Sequence, residues 1–479
     1  MDKYPEWVHI IGIAGVTTSG IAAMFKDNDS RVTGSDKGFF PPVSTYLAEN
    51  GIAIQAGYKA ERLSDKGRHP DLVVIQGTKS DDNPELTEAR KFNLQILTYP
   101  EVLQKYVIKP DASIVVAGTY GKTTITAALV KIFNQASIKT SYMIGGVSSD
   151  FPRSVIAKTD DTKYSLIEGD EYLISQTDNR SKFFLYSPKY LILNSAEWEH
   201  PDLFANEEVY LDNFKELVKL LPEDGLLVAN GTSKNVIAIS KVAKCKVIYY
   251  AQSQTKAETD NDWYINSLSK PLPTMIKPPN EGPAEIIPYE KQLIGDFNEE
   301  NLLAAAALAY ELGIKKERIQ EAIREFKGVK RRLEIRFENK NVIVVDDFGS
   351  SPPKAKGSLA ALRKDFFNGY IIAVFEPNSG NRVEAALKLY DDAFKDADEV
   401  VLPEFTRLPK IKQKRFAAEE LATYLQKKTR ITFISDDDNL VAYLKEKTES
   451  ENSKEKVIIC FLGSHSFRGM IAALVSNLS

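Results

Sequence analysis

Cysteine, histidine and tryptophan are scarce in this chain, with 2, 4 and 3 of them in 479 residues. Cys245 and Cys460 stand alone, without CxxC spacing or a histidine cluster beside them. That argues against a disulfide framework and a structural zinc site, and fits a reducing compartment. Cationic excess is missing as well. With 62 basic against 66 acidic residues and a formal charge of −4, nothing is left over to neutralise a phosphate backbone, so nucleic acid is not an expected partner. No apolar run approaches the roughly 18 residues that a membrane span requires. The opening MDKYPEWVHIIGIAG lacks a charged start followed by a long apolar core, so a cytoplasmic protein without a membrane partner is expected. Repeats are not visible, and the one biased stretch is polar and proline-rich, residues 252–289.

What is present is length and rhythm. At roughly 100–200 residues per domain, 479 residues predict about three domains. Short apolar runs (VHIIGIAG, DLVVIQG, LQILTY) alternate with helical patterns over residues 1–110, the rhythm of a parallel sheet covered by helices. ASIVVAG opens a second such unit, which continues through KYSLIEGD and KYLILNS. NVIVVDDF, YIIAVFEP, DEVVLPE, ITFIS and VIICFLGS repeat the pattern near the end. The expected fold is α/β with three domains: a Rossmann-like domain at 1–110, a central P-loop domain with a mostly parallel sheet at 111–330, and a Rossmann-like domain at 331–479.

The stretch VVAGTYGKTT, residues 115–124, lies between an apolar run and an amphipathic helix pattern. A full GxxxxGK[ST] loop needs glycine at 116, where Val116 stands, so the loop is the shorter Gly118-Thr119-Tyr120-Gly121-Lys122-Thr123. Gly118 and Gly121 let backbone N–H groups converge on an anion, and the helix start adds partial positive charge. Lys122 reaches terminal phosphates, and Thr123 suits Mg²⁺. ATP or GTP is the expected ligand.

Nearer the start, HIIGIAGVTTSG sets Gly12, Gly15 and Gly20 between strand and helix. Asp36 follows about 20 residues on, where a Rossmann fold has its ribose-binding acid. A tight turn and a helix cap remain open for these positions. Acids end two further apolar strands: Glu168, Asp170 and Glu171, then Glu197, Glu199 and Asp202 with His200 among them. Oxygen ligands at strand ends suit Mg²⁺. In the third unit, Arg331 and Arg332 read as a solvated run or a phosphate clamp, and Asp346 and Asp347 as ribose ligands or helix caps.

GTYGKTT, IEGDE, LNSAEWEH, IGDFNEENLLAAAALA and GVKRRLE…VVDDF follow one another in this order, and the chain resembles the Mur ligases of peptidoglycan assembly over nearly its whole length. GIAGVTTSG…GSD resembles the members acting on UDP-N-acetylmuramate. FFPPVSTYL and DNRSKFFLYSPKYLILN, with EPNS and GSHSF, look like the branch that attaches recycled L-Ala-γ-D-Glu-meso-diaminopimelate to that nucleotide-sugar.

The resemblance implies an ATP- and Mg²⁺-dependent ligase that forms an amide through an acyl phosphate, with UDP-N-acetylmuramate and an amino-acid or peptide acceptor as partners. It implies ATP contacts at Gly118, Thr119, Gly121, Lys122, Thr123 and Thr124, and further ones at Asn298, Asn301, Arg332 and Asp347. Thr123, Glu168 and His200 would hold metal, and Lys122, Glu168, His200 and Arg332 would carry catalysis. Gly12, Gly15, Ser19, Gly20, Asp36 and Arg180 would line the UDP-sugar site. Tyr120, Phe297, Ser350 and Ser351 stand where the family usually has histidine, and NSGNR keeps only Arg382 of an arginine-rich stretch. An L-alanine-adding ligase is the first alternative; a folylpolyglutamate synthase and a nucleotide-binding regulator without turnover are others.

Overall fold

Strands such as SIVVA (Ser113–Ala117) and VIICFLG (Val457–Gly463) are buried along their whole length, which only a sheet covered on both faces allows. The computed structural model describes residues 3–39, 43–76, 82–175, 177–199, 203–253, 262–279, 283–406, 415–450 and 456–479. Within them three sheets form, mostly parallel, with helices between successive strands.

The first sheet holds β1 (Trp7–Ile11), β2 (Arg31–Asp36), β3 (Ala53–Ala56), β4 (Leu72–Ile75) and β5 (Ile96–Thr98) in the order β3-β2-β1-β4-β5, all parallel. This is a Rossmann-like order, with the helix Val16–Asp27 leaving the β1 edge. β2 and β3 were not among the runs that the apolar pattern marks. RVTGSD and AIQA carry too few apolar residues to stand out, and β3 is an exposed edge.

The central sheet has β6 (Ser113–Ala117), β7 (Thr140–Met143), β8 (Val155–Ile156), β9 (Tyr164–Gly169) and β10 (Tyr190–Leu193). It continues with β11 (Leu226–Asn230), β12 (Lys246–Ala251), β13 (Trp263–Asn266), β14 (Thr274–Lys277) and β15 (Glu285–Pro288). The order is β15-β14-β13-β12-β11-β10-β6-β9-β7-β8, parallel from β7 to β13, with antiparallel strands at both edges. The described parts of the polar stretch 252–289 thus supply β13 to β15. The last sheet holds β16 (Glu334–Glu338), β17 (Val342–Asp347), β18 (Tyr370–Glu376), β19 (Glu399–Pro403), β20 (Ile431–Ile434) and β21 (Val457–Gly463). Its order is β16-β17-β21-β18-β19-β20, and only β16 runs antiparallel. β16 comes from KRRLEIR, which reads as a charge run rather than a strand.

The chain divides into two compact units, Met1–Gln292 with Phe297–Gly328, and Leu293–Asp296 with Val329–Ser479. The first two sheets lie in one unit and share a core that runs from Val8 and Ile10 to Leu227 and Ile239. No helix among the described residues is long and apolar enough to cross a membrane.

Candidate active site

In the central sheet, β6 lies between β9 and β10, with Val116 beside Glu168 and Ala117 beside both Gly169 and Leu193. Three strand ends therefore open onto one carboxyl edge. At that edge the chain turns through Gly118-Thr119-Tyr120-Gly121 into the helix Lys122–Gln135, whose buried face includes Ile125, Leu129, Ile132 and Phe133. Gly121 has φ +79°, and a Cβ there would sit 2.3 Å from Asn301 Oδ1 and 2.5 Å from Asn194 Nδ2. Gly118 has φ +134°, and its Cβ would press within 2.8 Å of the Ser195 backbone. Both positions require glycine, on conformation and on space.

The segment after β10 buttresses this loop. Thr119 N–H donates to Ser195 O at 3.2 Å, Tyr120 N–H donates to Ser195 Oγ at 2.8 Å, and Thr119 Oγ1 donates to Glu197 O at 2.9 Å. Asn194 donates to Tyr120 O at 3.1 Å and to Asn301 Oδ1 at 3.4 Å, and it accepts from the Tyr250 hydroxyl. Asn298 and Asn301, expected to meet the nucleotide, are buried on the helix Asp296–Glu311 and bonded to each other at 3.3 Å. Thr124 is buried beneath the loop.

The acids at the end of β9 separate into three situations. Glu171 takes the Lys122 ammonium at 3.0 Å, and Lys122 also donates to Gly118 O at 2.6 Å. Asp170 takes Lys182 at 2.9 Å, a buried lysine lying 4.9 Å from the Tyr99 ring. Glu168 has no ion pair among the described residues. It accepts the Thr123 hydroxyl at 2.9 Å and the Gly145 N–H at 2.8 Å. Burial opposes the Lys122 charge, but Glu171, Asp170 and Glu168 outweigh it and hold the ammonium above its ordinary pKa. Burial pushes the Glu168 carboxyl up, against the pull of Lys122, Gly145 and Thr123.

A recessed carboxylate without its own cation, beside a threonine hydroxyl, suits Mg²⁺ shared with nucleotide phosphates. No group of three acidic, histidine or cysteine side chains that could hold a metal alone exists among the described residues. His200 and Asp202 lie outside the described residues.

In the first sheet, Gly12 (φ +88°) turns the chain after β1 and its N–H donates to Ser35 O at 2.7 Å. Asp36 ends β2 and accepts the Ala14 N–H at 3.0 Å, so it braces the glycine loop. The start of the following helix is Gly15, without a side-chain cap. Ser19 is buried, donating to Val16 O, and lines a small pocket with Val16, Tyr46, Ile144 and Arg153. Gly20 faces Ser154, where a Cβ would lie 2.3 Å from Oγ, so it serves close packing of the helix against the segment before β8. Arg180 is exposed and paired with Asp178 two residues away, at 2.7 Å. Its neighbour Lys182 is the cation that reaches the acid cluster.

In the other unit, Arg331 is not a solvated charge. Its guanidinium donates to the carbonyls of Gly463 and His465, each at 2.7 Å, and to Asp346 at 3.3 Å. Arg332 is exposed and lies 5.4 Å from the Phe348 ring. Asp347 caps no helix: it accepts Leu333 N–H at 2.9 Å and the Ser358 hydroxyl at 2.8 Å, and the helix Pro352–Asp365 starts from Ser351. Burial raises the Asp347 carboxyl pKa against the Ser358 bond and Arg332. Ser350 is buried and its carbonyl accepts the Asn378 N–H at 2.9 Å. Phe297 and Tyr120 are both exposed, and Tyr120 donates its hydroxyl to Glu199 at 3.1 Å.

Sequence reading missed Glu171 as the partner of Lys122, and missed Asn194 and Lys182 altogether. Asn194 follows the apolar run LIL as Glu168 follows SLI, so the rule that a polar residue ending a buried strand faces the ligand edge would have found it.

Comparison with known proteins places this geometry. Residues 116–309 match the Mur ligase middle domain, and residues 7–109 match the catalytic domain of the Mur ligase family. The UDP-N-acetylmuramate–L-alanyl-γ-D-glutamyl-meso-2,6-diaminoheptandioate ligase of Escherichia coli K12 is 32% identical over 84% of this chain and 86% of its own length. The UDP-N-acetylmuramate–L-alanine ligase of Acetivibrio thermocellus is 28% identical over 92% of this chain and 90% of its own. A murein peptide ligase structure from Psychrobacter arcticus superposes with a TM-score of 0.70 at 25% identity, covering 98% of both chains. The chain belongs to the Mur ligase family, the ATP-dependent ligases that form amide bonds in the peptidoglycan pathway.

Proposed function

We propose that this ligase joins UDP-N-acetylmuramate to the peptide L-Ala-γ-D-Glu-meso-diaminopimelate, with the nucleotide-sugar on the first sheet, ATP on the central sheet and the acceptor on the last. The observation that carries the chemistry is the trio at the central edge: Lys122, Thr123 and a Glu168 that has no ion pair among the described residues. A carboxylate is a poor acyl donor because its oxygen does not leave. Its activation needs a phosphoryl group, and phosphoryl transfer is catalysed by positioning and charge rather than by covalent help from the protein.

The loop N–H groups from Gly118 to Gly121 and the Lys122 ammonium hold the ATP phosphates, Lys122 exchanging Glu171 for them. Thr123 and Glu168 would hold Mg²⁺, which would supply charge neutralisation for the transferring phosphoryl group. The muramyl carboxylate attacks the γ-phosphorus, and ADP leaves. The acceptor amine, having lost a proton, attacks the acyl carbon, and inorganic phosphate leaves with the bond electrons. Arg332 adds charge to the transferring phosphoryl group.

The peptide acceptor is supported by the 32% identity to a ligase named for that peptide, the single-amino-acid acceptor by the 28% match over a larger share of the chain. ADP release is measured with UDP-N-acetylmuramate plus either the peptide or L-alanine, and the product is weighed by mass spectrometry. Faster release with the peptide and a product mass equal to nucleotide-sugar plus peptide less water are expected. Preference for L-alanine transfers the reading to the alternative, and ADP release with neither acceptor nor sugar marks a plain ATPase.

A further inference from the structure

Beneath the glycine turn of the first sheet lies a fully buried carboxylate that the ATP chemistry does not use. Glu85 stands in the first turn of the helix Pro84–Lys91, where the helix start favours negative charge. Groups from three other segments close on it. Its Oε2 accepts the Ser35 hydroxyl from β2 and His9 Nε2 from β1, the latter at 3.4 Å. Its Oε1 accepts the Lys59 N–H at 3.0 Å, from the loop after β3, with Arg62 Nη1 3.5 Å away. Burial works to raise this carboxyl, but the bonds from His9, Ser35 and Lys59 outweigh it and hold the pKa below its ordinary value. An ionised carboxylate only accepts, so His9 Nε2 carries a proton. The other ring nitrogen of His9 meets Thr33 Oγ1 at 2.8 Å, and that hydroxyl also takes the Trp7 indole N–H at 2.9 Å. The polar side chains of this buried chain thus each have a partner, from Trp7 through Thr33 and His9 to Glu85.

The far side of Ser35 faces the glycine turn. While its hydroxyl is committed to Glu85, its carbonyl accepts the Gly12 N–H at 2.7 Å and the Ile13 N–H at 3.2 Å. Lys59 follows Tyr58, whose hydroxyl donates to Asp36 Oδ1 at 3.3 Å, and Asp36 Oδ2 accepts the Ala14 N–H at 3.0 Å. The successive N–H groups of Gly12, Ile13 and Ala14 are therefore held by two residues of β2, and Glu85 grips the chain on both sides of that hold. We propose that Glu85 is a positioning residue for the nucleotide-sugar: through Ser35 and Lys59 it fixes the two loops that flank β2 at the carboxyl edge of the first sheet. This rests on the reading that the first sheet seats UDP-N-acetylmuramate. Glu85 itself touches no ligand, because donors of the protein occupy both of its oxygens.

Steady-state ADP release by the full-length enzyme tests this with Glu85→Gln, Ser35→Ala and the double variant, varying UDP-N-acetylmuramate and ATP in turn. Thermal melting checks that each variant is folded, and calorimetry on the wild type measures uptake of UDP and of UDP-N-acetylmuramate. Each single variant is expected to raise KM for UDP-N-acetylmuramate about tenfold, with kcat and KM for ATP held within about twofold. The double variant is expected to add less than about threefold to the larger single effect, the mark of two residues acting as one. An unchanged KM for the sugar overturns the proposal. So does a loss spread evenly over kcat and both KM values, which would make Glu85 a residue of general stability. Should Glu85→Gln fail to fold, Ser35→Ala decides alone: a raised sugar KM with kcat kept supports the proposal, and unaltered kinetics refute it. A wild type that takes up neither UDP nor the sugar dismisses the first-sheet reading itself, and the proposal with it.

Discussion

Glu168 and Glu376 are the same residue type in the same topological place, each ending a buried strand at the carboxyl edge of a parallel sheet, and they live opposite lives. Glu376 is saturated: it takes Arg382 at 2.8 Å, the Thr406 N–H at 2.6 Å, His465 at 2.9 Å and Arg468 at 3.1 Å. Glu168 receives one hydroxyl and one N–H and no cation among the described residues. Burial raises both carboxyls. At Glu376 the His465 bond and charge and the Thr406 donors reverse that and carry the pKa down to about 2, whereas at Glu168 burial wins. A strand-end acid becomes structural when its neighbours supply the counter-charge, and stays open to a ligand when they withhold it.

Removing the cation that serves the open edge should have the largest effect. Lys122→Ala is expected to lower turnover by at least about a thousandfold, since the terminal phosphates lose their fixed charge, while UDP-sugar binding measured by calorimetry stays near that of the wild type. Lost sugar binding would place the two ligands on the same sheet and collapse the contrast between edges.

Glu168→Gln should come next and should separate function from stability. A raised folded-state pKa means that the ionised group costs stability at neutral pH, a cost that appears as pH rises through the folded pKa. The amide is therefore expected to raise the melting temperature of the ligand-free protein while lowering kcat about a hundredfold or more. In the unaltered enzyme the apparent Mg²⁺ dissociation constant should climb on acidification, beginning at a pH above the ordinary glutamate range. A melting temperature that falls on substitution would mean Glu168 is as fully compensated as Glu376.

Glu376→Gln should do the reverse. A fall from 4.5 to about 2 corresponds to ~3 kcal/mol of stability, present above the unfolded pKa and lost as pH falls through the folded one. Denaturant titrations should show that loss at pH 7, and the acid-side slope of the wild type between about pH 5 and pH 2 should flatten in the variant. An unchanged slope would remove the ion cluster as its source.

The smallest effect is expected from Arg180→Ala, which should change kcat/KM by less than about twofold because the guanidinium is exposed and, among the described residues, engaged only by its near neighbour Asp178. Lys182→Ala, two residues on, removes a buried ammonium from its pair with the partly exposed Asp170 and should cost stability on the order of 1 kcal/mol. Equal outcomes for the pair would show that burial does not distinguish them.

The sequence made the central edge readable because its parts are local: the glycine turn, Lys122 and Thr123 fall within one bend, and Glu168 announces itself by ending an apolar run. Asp36 was visible for the same reason, although what it holds, the Ala14 N–H, emerges only from the folded loop. Glu171, Asn194 and Lys182 were not legible as a set, since their partners are 49, 74 and 12 residues away. Arg180 and Lys182 look alike in a string, and only tertiary burial tells the local pair from the buried one. Among strands, β6, β17 and β21 announce themselves by unbroken apolar runs. β3 and β16 are edge strands with mixed exposure, and β13 to β15 arise from a stretch whose prolines and charges disguise short antiparallel pairs.

The missing methyl at Gly121 has a consequence beyond its own turn. Because a Cβ there would occupy space already held by the amides of Asn194 and Asn301, three letters from distant parts of the gene spell one joint. A substitution at any of them is felt first as a misfit at the other two, so in a mutational library these positions should tolerate change only in concert.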